Sequence, residues 1–108
     1  MKAIEIITIP VKDQQKAKEF YLKAGLQLQM EAPMGEGKMW IQMGLPNEST
    51  SISLMTTNGI IFETDDIEKE VAELNAKGIV TKNIDNTPWG RFCWINDPDG
   101  NEICLHQK

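Results

Sequence analysis

The chain is written twice, and this repeat limits its fold more than any other feature. Ile7-Thr8-Ile9-Pro10-Val11-Lys12-Asp13 leads into a helical pattern that stops at Gly25. Ile60-Ile61-Phe62-Glu63-Thr64-Asp65-Asp66 leads into a second that stops at Gly78, and twelve positions separate Asp from Gly in each half. Asp13 and Asp66 suit helix N-caps (Asp65, with Glu68 three residues on, competes for the second), and Gly25 and Gly78 suit left-handed stops. Ala17, Phe20, Tyr21 and Ala24 recur at helical spacing, as do Ile67, Val71 and Leu74, so helices are expected over about 13–25 and 66–78. Their Lys and Glu residues read as solvated outer faces.

Three strand-like runs follow each helix. They are Gln27–Ala32, Lys38–Met43 and Ser51–Met55 in the first half, and Ile79–Lys82, Arg91–Asn96 and Glu102–His106 in the second. Residues 33–37, 44–49 and 83–90 carry turn chemistry, and 56–59 join the halves. The pattern is α+β: two βαβββ modules, about 1–57 and 58–108, in one domain of 108 residues.

The last two runs form a hairpin whose register can be read directly. Asp97-Pro98-Asp99-Gly100 is a type I turn, with Pro98 presetting φ and Gly100 taking the left-handed position of a G1 bulge. Asn96 then pairs with Glu102, Trp94 with Cys104 and Phe92 with His106 on one face. Ile95 pairs with Ile103 and Cys93 with Leu105 on the other. The first face is mixed aromatic and polar, the second apolar.

The balance of 11 basic and 16 acidic residues, net −5, argues against a nucleic-acid partner. No apolar run is long enough for a membrane span, and residues 1–11 lack a signal peptide's basic start, so a cytoplasmic location is expected. Cys93 and Cys104 fall on opposite faces of the hairpin and are expected to stay reduced.

Two βαβββ modules closed by an Asp-Pro-Asp-Gly-Asn hairpin resemble the vicinal oxygen chelate superfamily. That group includes glyoxalase I, extradiol dioxygenases, and fosfomycin- and bleomycin-resistance proteins. Val11-Lys12-Asp13 leading to Ala17, Phe20-Tyr21 and Gly25-Leu26 matches its opening. Phe62–Asp66 with Gly78-Ile79, and Asp97–Asn101, match its second-module opening and closing turn. The resemblance implies one curved, open, barrel-like mixed sheet with helices on the convex side and a cleft on the concave side. Ile7, Ile9, Val11, Ile41, Met43, Ile52, Leu54, Ile60, Phe62, Ile95, Ile103 and Leu105 should then pack under the helices. Ile6, Thr8, Trp40, Gln42, Ser51, Ser53, Met55, Ile61, Glu63, Phe92, Trp94, Glu102, Cys104 and His106 should face the cleft.

Metal enzymes of the superfamily take ligands early in each module's first strand and again in the last strand. Those positions fall here on Ile6, Gly59 and Cys104, with Ser51 or Ser53 as the first-module counterpart of Cys104. Ile and Gly offer no donor, and a divalent ion needs three or four convergent ligands. No metal and no cofactor are therefore expected. Glu102, Cys104 and His106 alternate along one strand, but Glu102 to His106 spans about 13 Å, too far for all three to chelate.

No triad or phosphate loop is present, and no catalytic residue is assigned. Cys104 could be a thiolate nucleophile next to His106, or a small residue filling space under Trp94. Trp89 and Arg91 precede the hairpin at the expected cleft mouth, where Arg91 could meet an anionic group. The candidate ligand-binding set is Thr8, Trp40, Ser53, Phe92, Trp94, Glu102, Cys104 and His106. Its aromatic members suit a planar or apolar compound or a subunit contact.

The reading is a metal-free binding protein of the bleomycin-resistance-like branch, sequestering an unidentified small molecule. Relatives of this length imply a homodimer. The alternative is a lyase, isomerase or dioxygenase-type enzyme with an atypical or metal-free site, using Glu63 or Glu102 as base. A third reading gives the concave face to protein association.

Overall fold

The computed structural model describes residues 1–108. Its elements run β1 (Ala3–Pro10), α1 (Gln14–Ala24), β2 (Gln27–Gly35), β3 (Lys38–Gly44), β4 (Ser51–Met55), β5 (Gly59–Glu63), α2 (Ile67–Ala76), β6 (Asp85–Thr87), β7 (Gly90–Asn96) and β8 (Glu102–Gln107). This is βαβββ twice over, in the α+β class. Parallel pairs β1–β4 and β5–β8 mix with antiparallel β2–β3, β3–β4, β6–β7 and β7–β8. The chain divides into two compact units, Ile6–Asn58 and Met1–Glu5 with Gly59–Lys108, so β1 gives its first residues to one and the rest to the other.

In the Ile6–Asn58 unit the strand order is β2-β3-β4-β1. Asp13 caps α1 by accepting from the Lys16 N–H, and Gly25 ends it at φ +110°. Gln14, in the first turn, donates to the carbonyls of Met39 and Leu54, both at 2.7 Å, clamping the helix start to β3 and β4. Ile41, Met43 and Leu54 form the core, with Val11, Ala17, Tyr21 and Ile52 packed on it. Two expectations fail here. Phe20 is 64% exposed, edge-on to Tyr21, because α1 meets the strands through a narrow stripe of Ala17 and Tyr21. Ile7 is 37% exposed and stands outside the Ile41–Met43–Leu54 core. β2 also runs past Ala32 to Gly35, since the turn narrows to Glu36 and Gly37, both at positive φ (55° and 73°), a two-residue hairpin geometry.

In the other unit the order is β5-β8-β7-β6. Asp66 caps α2 by accepting from Lys69 N–H, while Gln107 Oε1 accepts from Ile67 N–H at 2.8 Å. Gly78, at φ +88°, follows the helix end. Ile67, Leu74, Cys93, Ile95 and Leu105 are the core, joined by Phe62, Val71, Ile84 and Ile103. All five hairpin pairs read from the sequence are present in β7–β8. Asp97 Oδ1 accepts from the N–H groups of Asp99 and Asn101, and Gly100 sits at φ +85°.

The expected strand Ile79–Lys82 is not one: pairing starts at Asp85, with Asp85↔Phe92, Asn86↔Arg91 and Thr87↔Gly90. The tight turn at Pro88–Trp89 sets that register, and counting back from it leaves Ile84 to turn into the core. Residues 79–84 meet β7 without joining the ladder: the Lys82 N–H donates to Trp94 O and its carbonyl accepts from Cys93 Sγ, while Val80 is 85% exposed. No helix is long and apolar enough to cross a membrane.

Candidate functional site

Strand register fixes two rows on one face of the Met1–Glu5/Gly59–Lys108 unit. Ile61, Cys104 and Trp94 make one row; Glu63, His106, Phe92 and Asp85 make the next. Glu102 lies at the far end of β8, opposite Asn96, and is exposed. Of the eight sequence candidates, Phe92, Trp94, Glu102, Cys104 and His106 thus share this face. Thr8, Trp40 and Ser53 belong to the other unit.

His106 is the best-connected of them. Its ring lies parallel to Phe92 (interplanar angle 2°), with centroids 4.3 Å apart. Nε2 is 2.9 Å from the carbonyl oxygen of Trp89, and Nδ1 is 2.8 Å from Glu5 Oε1. A carbonyl only accepts, so Nε2 carries a proton and donates it. One further proton must lie between Nδ1 and Oε1, held by the ring or by Glu5. Either way the pair is neutral overall, which suits side chains only 8% and 12% exposed. Both ring nitrogens are engaged, leaving no free imidazole nitrogen to act as a base.

Cys104 has no exposed surface, and its Sγ–H donates to Leu105 O at 3.4 Å. Burial pushes its thiol up to about 12, with the Cys93 thiol and the Asp85 and Glu5 carboxylates raising it further. Such a thiol stays protonated near neutral pH and is no nucleophile. Cys93, also raised by burial, donates to Lys82 O; both cysteines are free. Glu63 is held below the usual carboxylate range by Lys108 and then Lys2, each 3.1 Å away. Arg91, expected at a cleft mouth, instead reaches Glu68 of α2 at 2.9 Å and Asn86 at 3.0 Å. Its pairing partner is Gln107, which caps that helix, so Arg91 belongs to the helix side.

The Ile6–Asn58 unit carries an uncharged polar face. Thr8, Ser53 and Gln42 form one row across β1, β4 and β3. Trp40 Nε1–H donates to Gln42 Oε1 at 3.1 Å, and Gln42 and the Ser51 hydroxyl both donate to Gln29 Oε1. Gln29 spans Gly44, where a Cβ would stand 2.4 Å from its Nε2. Ser53 Oγ is buried without a hydrogen-bond partner.

Ile6 and Gly59 have no side-chain donor atom, and the Cys104 thiol keeps its proton. No three His, Cys, Asp or Glu side chains converge as a metal centre would require. Two surface depressions, about 140 and 280 Å³, lie among Lys2, Glu63, Thr64 and Asp65 and around the start of α2; neither borders Phe92 or Trp94.

Sequence reasoning missed Glu5 and the role of Trp89. Glu5 was detectable as the single charge in the run Ile4–Ile9, where a part-buried carboxylate demands a partner. Strand alternation could not name His106, which lies 101 positions away.

Residues 3–105 match the model of the Glyoxalase/Bleomycin resistance protein/Dioxygenase superfamily. The uncharacterized protein YetH of Bacillus subtilis (strain 168) is 28% identical over 119 residues, covering 99% of both chains. TnmS3, an antibiotic binding protein from Streptomyces sp. CB03234, is 33% identical, with 99% of this chain and 96% of that one covered and a TM-score of 0.47. Methylmalonyl-CoA epimerase from Mycobacterium tuberculosis has the same fold: TM-score 0.82 at 17% identity, covering 97% of this chain and 87% of the enzyme.

Proposed function

We propose that this chain, which belongs to the Glyoxalase/Bleomycin resistance protein/Dioxygenase superfamily, binds a planar, largely apolar small molecule against Phe92 and Trp94 and holds it without covalent change. A homodimer is the proposed form in which it does so. The observation that carries the reading is the state of the polar groups around those rings. Cys104 is buried and protonated, both nitrogens of His106 are occupied, and Glu63 is neutralised by two lysines. What remains for a ligand is largely aromatic surface, with Asp85 in register beside Phe92, and such surface favours stacking and apolar contact. TnmS3 is an antibiotic binding protein, and the proposal extends that kind of ligand to this chain.

The test uses 1-aminoanthracene, a neutral planar fluorophore. It should bind, quench tryptophan emission and be recovered chemically unchanged. Trp94→Ala should weaken binding by about 1–3 kcal/mol, as expected for a buried aromatic anchor. Cys104→Ala should weaken it far less, since Cys104 has no surface to offer. An affinity that survives Trp94→Ala but collapses in Cys104→Ala would replace this reading with a reactive-thiol enzyme.

A further inference from the structure

Trp89 is 61% exposed, yet its backbone is held at both polar groups. Its N–H donates to Thr87 Oγ1 at 3.2 Å and its carbonyl accepts from His106 Nε2 at 2.9 Å, while the Thr87 hydroxyl donates to Gly90 O at 2.8 Å. The next residue must be glycine for this to work. Gly90 sits at φ +125°, and a Cβ there would stand 2.5 Å from Gln107 O and 2.7 Å from His106 Nε2. The carbonyl of Trp89 can therefore close onto the imidazole only because position 90 carries no side chain. The imidazole is itself fixed, by Glu5 on Nδ1 and by Phe92 beneath the ring.

An indole left in water on an immobilised turn has already lost the backbone freedom that binding would otherwise remove. It also presents a large amphipathic ring at little further entropic cost. The anchor that fixes it is stacked on Phe92, one of the two rings of the proposed site. We propose that Trp89 is a ligand-contacting side chain of the Phe92–Trp94 site, and that His106 is the positioning residue that holds it there. This rests on the binding reading above and names the ligand class more narrowly, as a neutral planar aromatic compound. Of the charges near these rings, Glu5 is paired with His106 and Glu63 with Lys2 and Lys108, while the Asp85 carboxylate, in register with Phe92, disfavours an anionic compound.

The full chain labelled with 5-fluorotryptophan gives one fluorine resonance for each of its three tryptophans, assigned by single Trp→Phe variants. Adding 1-aminoanthracene should shift the Trp89 and Trp94 resonances. Trp89→Ala should weaken the probe roughly tenfold. His106→Phe keeps a ring on Phe92 but lacks the N–H; it should move the Trp89 resonance in the free protein and weaken the probe. His106→Gln, which restores an N–H donor, should recover part of both effects, a rescue that simple loss of packing would not give. If His106→Phe fails to fold, Trp89→Ala, a change at an exposed turn, decides the matter. Binding that shifts Trp94 but leaves Trp89 unmoved and dispensable would overturn this inference and leave the binding reading standing. Failure of the wild-type protein to bind the probe would overturn both.

Discussion

The thiol of Cys104 is enclosed on every side, and its proton is directed at the carbonyl of Leu105. Burial raises its folded value to about 12 from an ordinary 9.0, so between those limits the unfolded chain loses the proton while the folded one keeps it. The folded state binds more protons there, and stability must fall as pH rises from the ordinary thiol range towards the folded value. Urea midpoints taken across the alkaline range should therefore drop more steeply in the wild-type protein than in Cys104→Val, which has no thiol to ionise. Equal slopes would mean that the thiol is not shielded. Gly90 supports a second residue-level prediction. Gly90→Ala combines a positive φ with a Cβ driven against Gln107 O and His106 Nε2. A strained backbone of this kind costs about 1–3 kcal/mol. The displaced Trp89 carbonyl should add to that, so a thermal melt should show a clear drop, whereas Gly100→Ala, with open space around its Cβ position, should show the smaller loss due to φ alone.

The hairpin β7–β8 joins one element's stability to acid pH. Asp97 is held below the usual carboxylate range, first by the side chain and backbone of Asn101 and then by the N–H groups of Asp99 and Gly100. A depressed carboxylate stabilises the fold above its unfolded value, and that contribution is lost as pH falls through the folded value. Protection of the Asn101 and Glu102 amides, relative to their intrinsic exchange at each pH, should fall on acidification below the ordinary Asp range. Asp97→Ala should show the lower protection already at neutral pH; unchanged protection would exclude the loop as the cause.

The same turn explains why the hairpin could be read from sequence. Asp97, Pro98 and Gly100 each demand one backbone conformation, so pairing and facing of Phe92, Trp94, Cys104 and His106 followed from local chemistry. Asp13, Asp66 and Gly25 fixed the helix ends in the same local way. The strand expected at Ile79–Lys82 failed because its β-branched residues suggest a strand, while the Pro88–Trp89 turn sets which residues meet β7. Arg91 was placed on the wrong side because its partner, Glu68, comes from a helix packing that no local pattern encodes. Glu5 and His106, far apart in the chain, meet only through tertiary structure.

At the scale of the whole molecule, a net charge of −5 favours solubility, yet β2 presents an unprotected edge. It stands at the end of the order β2-β3-β4-β1, and Leu28, Met30 and Met34 along it are 41%, 40% and 49% exposed. Its only charge, Glu31, is already paired with Lys18 at 3.0 Å. Edge strands are normally guarded by charge or covered, and exposed apolar side chains along an edge with one paired charge suit a subunit contact. Pro33 removes one backbone donor, so side-chain packing rather than a continuous ladder should carry the contact. A second copy of the chain offers the same apolar edge, and a two-fold contact would cover both at once. Light scattering should accordingly report twice the 12.2 kDa chain mass at micromolar concentration. Leu28→Lys combined with Met30→Lys should return it to the single-chain value while far-ultraviolet circular dichroism stays unchanged, because both side chains already lie partly in water. A wild-type mass near 12.2 kDa would leave the apolar edge without its expected partner and count directly against the dimer.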